Sequence, residues 1–357
     1  MMSEHDICEL LSSLLPSGRL NRCFESDAEV LDFEGRRCLF TTDEFSAEDL
    51  FRENDPYALG WNIAVGGISD ILASGGRPLF YAHALTVERR WTGEYVSQFG
   101  CGVRDALVAS GTRFIGGDCG RSEIWRCTVS VIGSCEGPPV LRLGAVPGDL
   151  IYLSGSVGAG NLEAALTLDL ASAWDVQRPP RISEFGFPSA SGASDFGSRV
   201  RFPLRLAEAA VMRKHASACM DTSDGVCAAL NTLADLNGCG FTVASLPYLP
   251  AGVRYLEQIG LPTPLLFLGE CGEYELLFAV KPQHEAMLLE EARNTGLGFH
   301  RLGVFTTNGR ELREGGRTLD LGSLRLHARD FEHPQQYLTA LLHWLEEQWP
   351  SAPRVER

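Results

Sequence analysis

The chain has 357 residues, of which 45% are hydrophobic and 22% are charged, and its formal net charge at pH 7 is −15. This length is sufficient for two domains, and the acidic excess argues against a surface that binds nucleic acid or an anionic membrane. The 11 cysteines include no C-x-x-C pair, which argues against a zinc site and a disulfide framework. The N-terminus, MMSEHDICEL, lacks the basic start and apolar core of a secretory signal, so we expect a cytoplasmic protein.

Strand-like and helix-like segments alternate along the chain. Apolar runs that predict strands lie at 36–42, 79–87 and 128–136. Segments with the apolar spacing of helices, each ending in glycine, lie at 55–76 and 93–111. A strand, a glycine turn and a helix follow at 148–168, and the segment before them, with Pro147 and two glycines, predicts a domain junction.

Two segments of the second half do not follow this alternation. Residues 175–203 are rich in proline, serine and glycine and lack periodicity, which predicts a long surface loop. Near the C-terminus, an apolar stripe at helical spacing consists of Leu338, Leu341, Leu342, Leu345 and Trp349. This stripe predicts an amphipathic helix, and we expect it to pack on the C-terminal domain.

The common phosphate-binding loops are missing from the sequence. The two lysines, Lys214 and Lys281, lie outside any glycine-rich loop, so a P-loop is excluded. The glycines of YLSGSVGAGNLEAA (152–165) have the spacing G-x-x-G-x-G, which differs from the dinucleotide fingerprint and is more typical of a tight turn. Phosphate chemistry in this chain must therefore depend on metal ions and arginine.

Aspartates next to glycine, serine or threonine recur along the chain. They lie in the segments ESDAEV, FTTDE, GGISD, RFIGGD and MDTSDG, as Asp27, Asp43, Asp70, Asp118, Asp221 and Asp224. Any one of them alone is typical of a helix cap or an Asx turn. Because several of them follow apolar runs, together they predict one acidic cluster. Like charges in one cleft repel, and bound cations such as Mg²⁺ are the usual compensation.

These segments, in this order and spacing, resemble thiamine-monophosphate kinase, a family of the aminoimidazole ribonucleotide synthetase-like superfamily. The similarity runs from about Asp27 to about His333 and is most specific in TTD, ISDILASGGRPL, FIGGD, PGDLIYLSG, DTSDG and YELLF. The resemblance implies an α/β fold with mixed sheets in two domains. We expect an ATP- and metal-binding, dimerising domain at 1–143, a second α/β domain at 144–333, and a helical extension at 334–357.

The resemblance also implies roles for individual residues. The implied metal ligands are Asp27, Thr41, Thr42, Asp43, Asp70, Asp118, Asp221 and Asp224. Four of these are implied to act in catalysis, namely Asp43, Asp118, Asp221 and Asp224. The implied nucleotide contacts are Gly117, Asp118, Arg142 and Ser223. Glu273 and Phe331 are the candidates for contacts with the acceptor.

The other branches of the superfamily need residues that this chain lacks. Selenophosphate synthetase needs a reactive cysteine or selenocysteine with a nearby lysine, whereas Cys8 and Cys23 have none. The hydrogenase-maturation dehydratase uses a C-terminal cysteine, whereas this chain ends at Arg357. The ribonucleotide synthetase carries a glycine-rich segment with lysine. The kinase branch remains, and it implies ATP and Mg²⁺ as cofactors and a homodimer.

The expected reaction is the ATP- and Mg²⁺-dependent phosphorylation of thiamine monophosphate to thiamine diphosphate. A phosphate acceptor is already ionised at neutral pH, so the reaction requires no general base. The departures from the family fall on the acceptor side, where Leu50 and Gly272 replace its substrate histidine and glutamate. Two alternatives therefore stay open: a related kinase or ATP-dependent synthetase that acts on another phosphorylated metabolite, and a non-catalytic nucleotide-binding accessory protein.

Overall fold

The computed structural model describes residues 4–46, 55–168 and 201–348, and these residues form two β-sheets with helices packed on them. The predicted loop at 175–203 lies outside the described residues except for its last three. Within the described ranges, no helix has both the length and the apolar character needed to cross a membrane. The mixed α/β class predicted from the sequence is confirmed.

The first sheet, called here the N-terminal sheet, has the strand order β1-β2-β5-β3-β4. Its strands are β1 (Glu29–Phe33), β2 (Arg36–Ser46), β3 (Arg77–Glu88), β4 (Arg113–Ser122) and β5 (Arg126–Ser134). Only β3 and β4 pair in parallel. Along β5, Val129 and Val131 are buried, whereas Ser130 and Ile132 on the other face are accessible. This sheet is therefore covered on one face and open on the other within a single chain.

The covered face of the N-terminal sheet packs on two helices, and a short helix precedes the sheet. These helices are α1 (Glu4–Leu14), α2 (Pro56–Ala73) and α3 (Gly93–Ser110). Helix α2 begins where the Asp55 carboxylate accepts hydrogen bonds from the N–H groups of Tyr57 and Ala58. Most of its residues are buried, which is typical of a helix enclosed between layers rather than one lying at a surface.

The second sheet, the C-terminal sheet, has the order β12-β11-β8-β10-β6-β9-β7. Its strands are β6 (Leu150–Leu153), β7 (Ala216–Asp221), β8 (Gly240–Val243), β9 (Leu276–Val280), β10 (His300–Thr306), β11 (Arg310–Glu314) and β12 (Arg317–Asp320). Every residue of β6 and β9 is buried. On β6, Leu150 and Tyr152 contact the core shared with α2, whereas Ile151 and Leu153 contact a second core on the other face. The central strands are thus buried on both sides.

The remaining helices complete the second domain. They are α4 (Ala159–Thr167), α5 (Leu206–His215), α6 (Val226–Asn237), α7 (Pro250–Ile259), α8 (Leu265–Leu268), α9 (Glu285–Thr295) and α10 (Pro334–Gln348). Helix α10 contains the predicted C-terminal stripe, and Leu341, Leu342 and Leu345 are buried in the second core. Packing of this helix on its own C-terminal domain is confirmed for these leucines, whereas Trp349 lies outside the described residues.

The strand and helix predictions in the first half are confirmed to within a few residues at their ends. One difference concerns Asp118, which the sequence suggested to follow an apolar run. Strand β4 continues through it to Ser122, because each residue from Gly116 to Ser122 stays paired with β3. Asp118 therefore lies within an edge strand and not at its end. The predicted junction between residues 143 and 144 falls in the connection between β5 and β6.

Candidate active site

Four of the predicted aspartates meet between the two sheets. Asp27 immediately precedes β1, Asp43 lies on β2, Asp70 is in the last turn of α2, and Asp221 is the last residue of β7. One carboxylate oxygen from each of Asp27, Asp70 and Asp221 lies within 4.8 Å of the other two. Asp43 adjoins them through a hydrogen bond with Asp70. These four residues are called the acidic cluster below.

The turn after β7 explains the small residues around Asp221. Thr222 is fully buried, and its hydroxyl accepts a hydrogen bond of 2.9 Å from the N–H of Glu275, the residue just before β9. Ser223 donates its N–H to Oδ1 of Asp221 at 3.3 Å. Gly225 has φ +87°, and a side chain there would lie 2.6 Å from the carbonyl oxygen of Gly269. The DTSDG segment is thus a docked turn that presents the Asp221 carboxylate to the acidic cluster.

The acidic cluster is only partly satisfied by protein groups. Arg142 donates from Nε and Nη2 to Oδ1 of Asp27, at 2.9 and 2.5 Å. The Thr41 hydroxyl donates to Oδ2 of Asp70 at 2.5 Å. The remaining oxygens, Oδ2 of Asp27 and Oδ2 of Asp221, are buried and have no hydrogen-bond partner. Buried carboxylate oxygens without partners are costly, so these two oxygens could accept a further cation or hydrogen-bond donor.

The four carboxyls hold their protons more tightly than ordinary aspartates. Burial, opposed by the Arg142 guanidinium, raises the pKa of Asp27 to about 6. Burial and the charges of Asp221 and Asp27 raise the pKa of Asp43 to about 7. The pKa of Asp70 is raised well above its ordinary value by burial and by Asp43, and burial also raises the pKa of Asp221. Burial is therefore the largest cause of these shifts, and repulsion between the carboxylates adds to it for Asp27, Asp43 and Asp70.

A cavity of about 1290 Å³ includes the acidic cluster in its wall. Its polar wall also contains Arg142, Ser223 and Asp224. Its apolar wall includes Ala164, Ala165, Leu168, Leu265, Phe331, Tyr337 and Leu338. Helix α1 adds Cys8, Leu11 and Ser12 to the wall. The cavity can therefore hold a molecule with an anionic part, compensated by cations, and an aromatic or apolar part.

Other predicted site residues line the same cavity with different contacts. Asp224 is half-exposed, and its Oδ1 lies 3.4 Å from Nη2 of Arg329. Thr42 alternates to the other face of β2 from Thr41, and its hydroxyl donates to the carbonyl oxygen of Val129 at 3.0 Å. Because that hydroxyl is bonded within the sheet, Thr42 reaches the cavity wall without directing its Oγ1 at the acidic cluster.

Gly117 and Asp118 lie away from the cavity of their own chain. Asp118 is exposed on the edge strand β4, and its Oδ1 accepts a hydrogen bond from the N–H of Cys119. A side chain at Gly117 would lie 1.8 Å from the carbonyl oxygen of His83, so glycine allows the close approach of β3. The sequence grouped Asp118 with the other aspartates, but within one chain the fold separates it from them.

Glu273 is not on the cavity wall, in contrast to the acceptor contact suggested from the sequence. It is buried, and its Oε1 accepts a hydrogen bond of 2.7 Å from the N–H of Gly158, at the start of α4. The acceptor at this helix N-terminus is thus the chain's own carboxyl group, and burial raises the pKa of Glu273 well above its ordinary value. Phe331, the other candidate, does line the cavity, as does Glu270.

The two departures from the family pattern have different positions. Leu50 lies outside the described residues. Gly272 lines the cavity, and a side chain there would meet the carbonyl oxygen of Ser223 at 2.4 Å and the Tyr274 ring at 2.9 Å. The backbone of this chain therefore has no room for a glutamate at position 272 without rearrangement.

Comparison with known proteins agrees with this architecture. The family model for AIR synthase related protein, N-terminal domain, matches residues 25–135, and the model for its C-terminal domain matches residues 146–313. Together these matches cover most of the chain. The first contains the N-terminal sheet, and the second contains the C-terminal sheet apart from its last strand, β12. The chain therefore belongs to the AIR synthase related family, whose members combine two such domains.

Relatives within the family narrow the assignment. The thiamine-monophosphate kinase of Aquifex aeolicus is 28% identical over 283 residues, which is 78% of this chain and 85% of the relative. That of Halobacterium salinarum is 29% identical over 227 residues, 64% of this chain and 70% of the relative. The solved structure of AaThiL complexed with AMPPCP and TMP has a TM-score of 0.67 at 25% identity, and the match covers 88% of this chain and 94% of AaThiL. The chain is thus similar to thiamine-monophosphate kinases over most of its length.

The site also contains residues that the sequence did not single out. Arg19 lines the cavity and is held by Glu29 and Ser12, at 2.8 and 2.7 Å. Arg329 and Glu270 also line the cavity. Glu270 accepts a hydrogen bond from the N–H of Ala328, the residue before Arg329. The segment LHARDFEH has no periodicity that distinguishes Arg329. The residue is identified by its contact with Asp224, which is distant in the chain.

Proposed function

We propose that the protein transfers the terminal phosphoryl group of ATP to thiamine monophosphate, giving thiamine diphosphate, with Mg²⁺ bound by the acidic cluster. The observation that carries this proposal is the convergence of Asp27, Asp70 and Asp221 at the end of a large cavity, with two buried oxygens that have no partner. Similarity to kinases that use this acceptor supports it over the alternatives left open by the sequence.

The donor set fits Mg²⁺. Hard carboxylate oxygens are the ligands that Mg²⁺ prefers. One oxygen from each of Asp27, Asp70 and Asp221 lies within 4.8 Å of the other two, so the three carboxylates could share one ion by moving closer together. A divalent cation would also satisfy the unpartnered oxygens of Asp27 and Asp221 and reduce the repulsion that adds to the effect of burial on the pKa values.

Different residues of this chain would have different roles in phosphoryl transfer. Bound Mg²⁺ would supply charge neutralisation for the phosphates and for the carboxylates that hold it. Arg142, bonded to Asp27 on one side and lining the cavity, offers its guanidinium to a nucleotide phosphate. Ser223 lies beside Asp221 in the docked turn and contacts the nucleotide. No protein group has to remove a proton, because the acceptor phosphate is already ionised.

The acceptor would occupy the apolar part of the cavity. AaThiL, whose structure contains AMPPCP and TMP, matches this chain over 88% of its length. Phe331 and Tyr337 contact each other, with ring centroids 5.8 Å apart, and both line the cavity. They offer the aromatic surface that a heterocyclic ring such as that of thiamine would pack against.

We also propose a homodimer formed through the N-terminal sheet. The open face and edge of this sheet carry exposed apolar residues, with Phe114 54% and Ile115 58% exposed. Among the strands that the structure describes, none pairs with the outer side of β4, so its backbone groups can pair with a second chain. Asp118 lies on the same strand, so the dimer interface is where it would join a nucleotide site.

Turnover tests the proposed function directly. The full chain is incubated with ATP, Mg²⁺ and a panel of phosphorylated acceptors, and the formation of ADP and of the new diphosphate is measured. We expect thiamine monophosphate to be the preferred acceptor. A faster reaction with another phosphate ester would replace the proposed substrate, and binding of ATP without turnover of any acceptor would favour an accessory role.

A further inference from the structure

Three arginines are the only cationic side chains on the cavity wall among the described residues: Arg19, Arg142 and Arg329. They differ in accessibility. Arg142 is 16% exposed and is bonded to Asp27, and Arg19 is 21% exposed and is bonded to Glu29. Arg329 is 66% exposed, so its guanidinium is the most accessible of the three to a molecule in the cavity.

The contact between Arg329 and Asp224 is a weak one. The distance from Nη2 to Oδ1 is 3.4 Å, and the Asp224 side chain is 55% exposed. Exposed ion pairs of this kind typically contribute between about 0 and 1 kcal/mol. An anion that enters the cavity can therefore compete with Asp224 for the guanidinium.

The segment just before Arg329 is held by hydrogen bonds to Glu270. Oε2 of Glu270 accepts the N–H of Ala328 at 2.7 Å, and its Oε1 lies 3.1 Å from Nδ1 of His327. On the other side, the Phe331 ring packs against Tyr337. Arg329 thus contacts Asp224 on the cavity wall and lies two residues before Phe331, whose ring lines the same cavity.

We infer that Arg329 binds the phosphate group of the acceptor and exchanges Asp224 for phosphate oxygens when the acceptor enters. This inference rests on the proposed function and names a further residue for the same site. A phosphate dianion beside the acidic cluster needs a cation of its own, and a guanidinium can donate two parallel hydrogen bonds to its oxygens. The position in contact with Asp224 and two residues before Phe331 suits a ligand whose ring lies on Phe331 and whose phosphate points at the cluster.

The test compares Arg329→Gln with the wild-type protein as full chains. We expect the KM for thiamine monophosphate to rise about tenfold or more, as for loss of a charged hydrogen-bond donor, with the KM for ATP changed less than about twofold. Arg329→Lys should recover only part of the loss, because it keeps the charge without the fork. Arg325→Gln is the matched control, since Arg325 is an exposed arginine of the same segment that does not line the cavity.

A binding measurement separates a phosphate contact from a structural effect. In calorimetric titrations with AMPPCP and Mg²⁺ present, Arg329→Gln should weaken the binding of thiamine monophosphate but leave that of unphosphorylated thiamine unchanged. Equal weakening of both ligands, an unchanged KM for the acceptor, or a rise in the KM for ATP instead would overturn the inference. A wild-type protein that neither binds nor phosphorylates thiamine monophosphate would overturn the proposed function and this inference with it.

Discussion

The four carboxyls of the acidic cluster make the stability of the metal-free protein depend on pH. In the folded chain the pKa of Asp27 is about 6 and that of Asp43 about 7, both above the ordinary value of 3.8. The folded state therefore binds more protons than the unfolded state between these values, so stability falls as the pH rises from about 4 to about 7. This contribution is fully present below the ordinary pKa and is lost above the raised ones.

The first prediction follows from this linkage. Because Mg²⁺ binds the ionised carboxylates and removes their repulsion, it should raise the melting temperature by several degrees at pH 8 and much less at pH 5. Differential scanning calorimetry at both pH values, with and without Mg²⁺, measures the effect. An equal shift at the two pH values would show that Mg²⁺ binds somewhere other than this cluster.

Replacing one carboxylate of the acidic cluster with a neutral amide should lower turnover without lowering the melting temperature. In Asp70→Asn the amide keeps an acceptor for the Thr41 hydroxyl and can donate to neighbouring carboxylates. We expect the metal-free variant to melt at the same or a higher temperature than the wild type at pH 8, with turnover lower by about a hundredfold or more. A structural aspartate would behave oppositely, with a lower melting temperature and nearly normal turnover.

Individual residues also show where sequence reasoning reaches its limit. The grouping of Asp27, Asp43, Asp70 and Asp221 could be predicted because each follows or precedes an apolar segment that the fold brings together. The isolation of Asp118 could not, since it depends on β4 staying paired with β3 beyond two glycines. The burial of Glu273 depends on the position of α4, which the spacing of residues near 273 does not encode.

At the scale of elements, helices α2 and α3 pack closely because glycines face the partner backbone. A side chain at Gly102 would lie 2.0 Å from the carbonyl oxygen of Tyr57, and one at Gly60 would lie 2.0 Å from that of Phe99. Contacts of this length cannot be relieved by rotating a side chain, because the opposing atoms belong to the backbone. The two helices can keep their separation only if both positions remain glycine.

Gly102→Ala should therefore destabilise the fold, by at least about 2–3 kcal/mol in the free energy of unfolding measured with urea. Gly100→Ala on the same helix is the control, because nothing lies within 4 Å of a side chain there. That change should stabilise the protein by about 0.5–1 kcal/mol through helix propensity. Similar effects of the two substitutions would contradict the close packing of α2 on α3.

The elements themselves were the most predictable part of the fold. Their apolar periodicity identified the strands and helices of the first half and the C-terminal helix α10. Periodicity cannot show that α10 also contributes to the site. Tyr337 and Leu338 line the cavity because α10 packs on the second core, and this packing is a tertiary feature. The C-terminal extension is thus part of the cavity wall and not only a stabilising addition.

At the scale of the whole molecule, the central strands of the C-terminal sheet are buried on both faces, whereas the N-terminal sheet is covered on one face by the described residues. Leu276 and Phe278 of β9 contact the core shared with α2, and Leu277 contacts the second core. The acidic cluster lies where the two sheets meet, so both domains contribute carboxylates to it. Its geometry depends on long-range packing that no local pattern specifies, which is why the sequence could indicate the cluster but not the distances within it.

The open face of the N-terminal sheet leads to a prediction about assembly. Each chain carries a formal charge of −15, so two chains repel one another, and an interface must overcome this repulsion with apolar contacts or strand pairing. Strand β4 offers both, through Phe114 and Ile115 and through its unpaired edge. We expect a dimer that dissociates more readily at low ionic strength, where the repulsion is screened least.

Ile115→Arg tests this interface, because it places a charge in the centre of the exposed apolar patch. Light scattering should give the mass of two chains for the wild type and of one chain for the variant. Val108→Arg is the control, since Val108 is even more exposed, at 74%, but lies on helix α3. If the interface completes the nucleotide site with Asp118, turnover should fall in Ile115→Arg together with the mass. A monomeric wild type, or a variant that stays dimeric, would contradict assembly through β4, and a monomeric variant with full turnover would show that each chain holds a complete site.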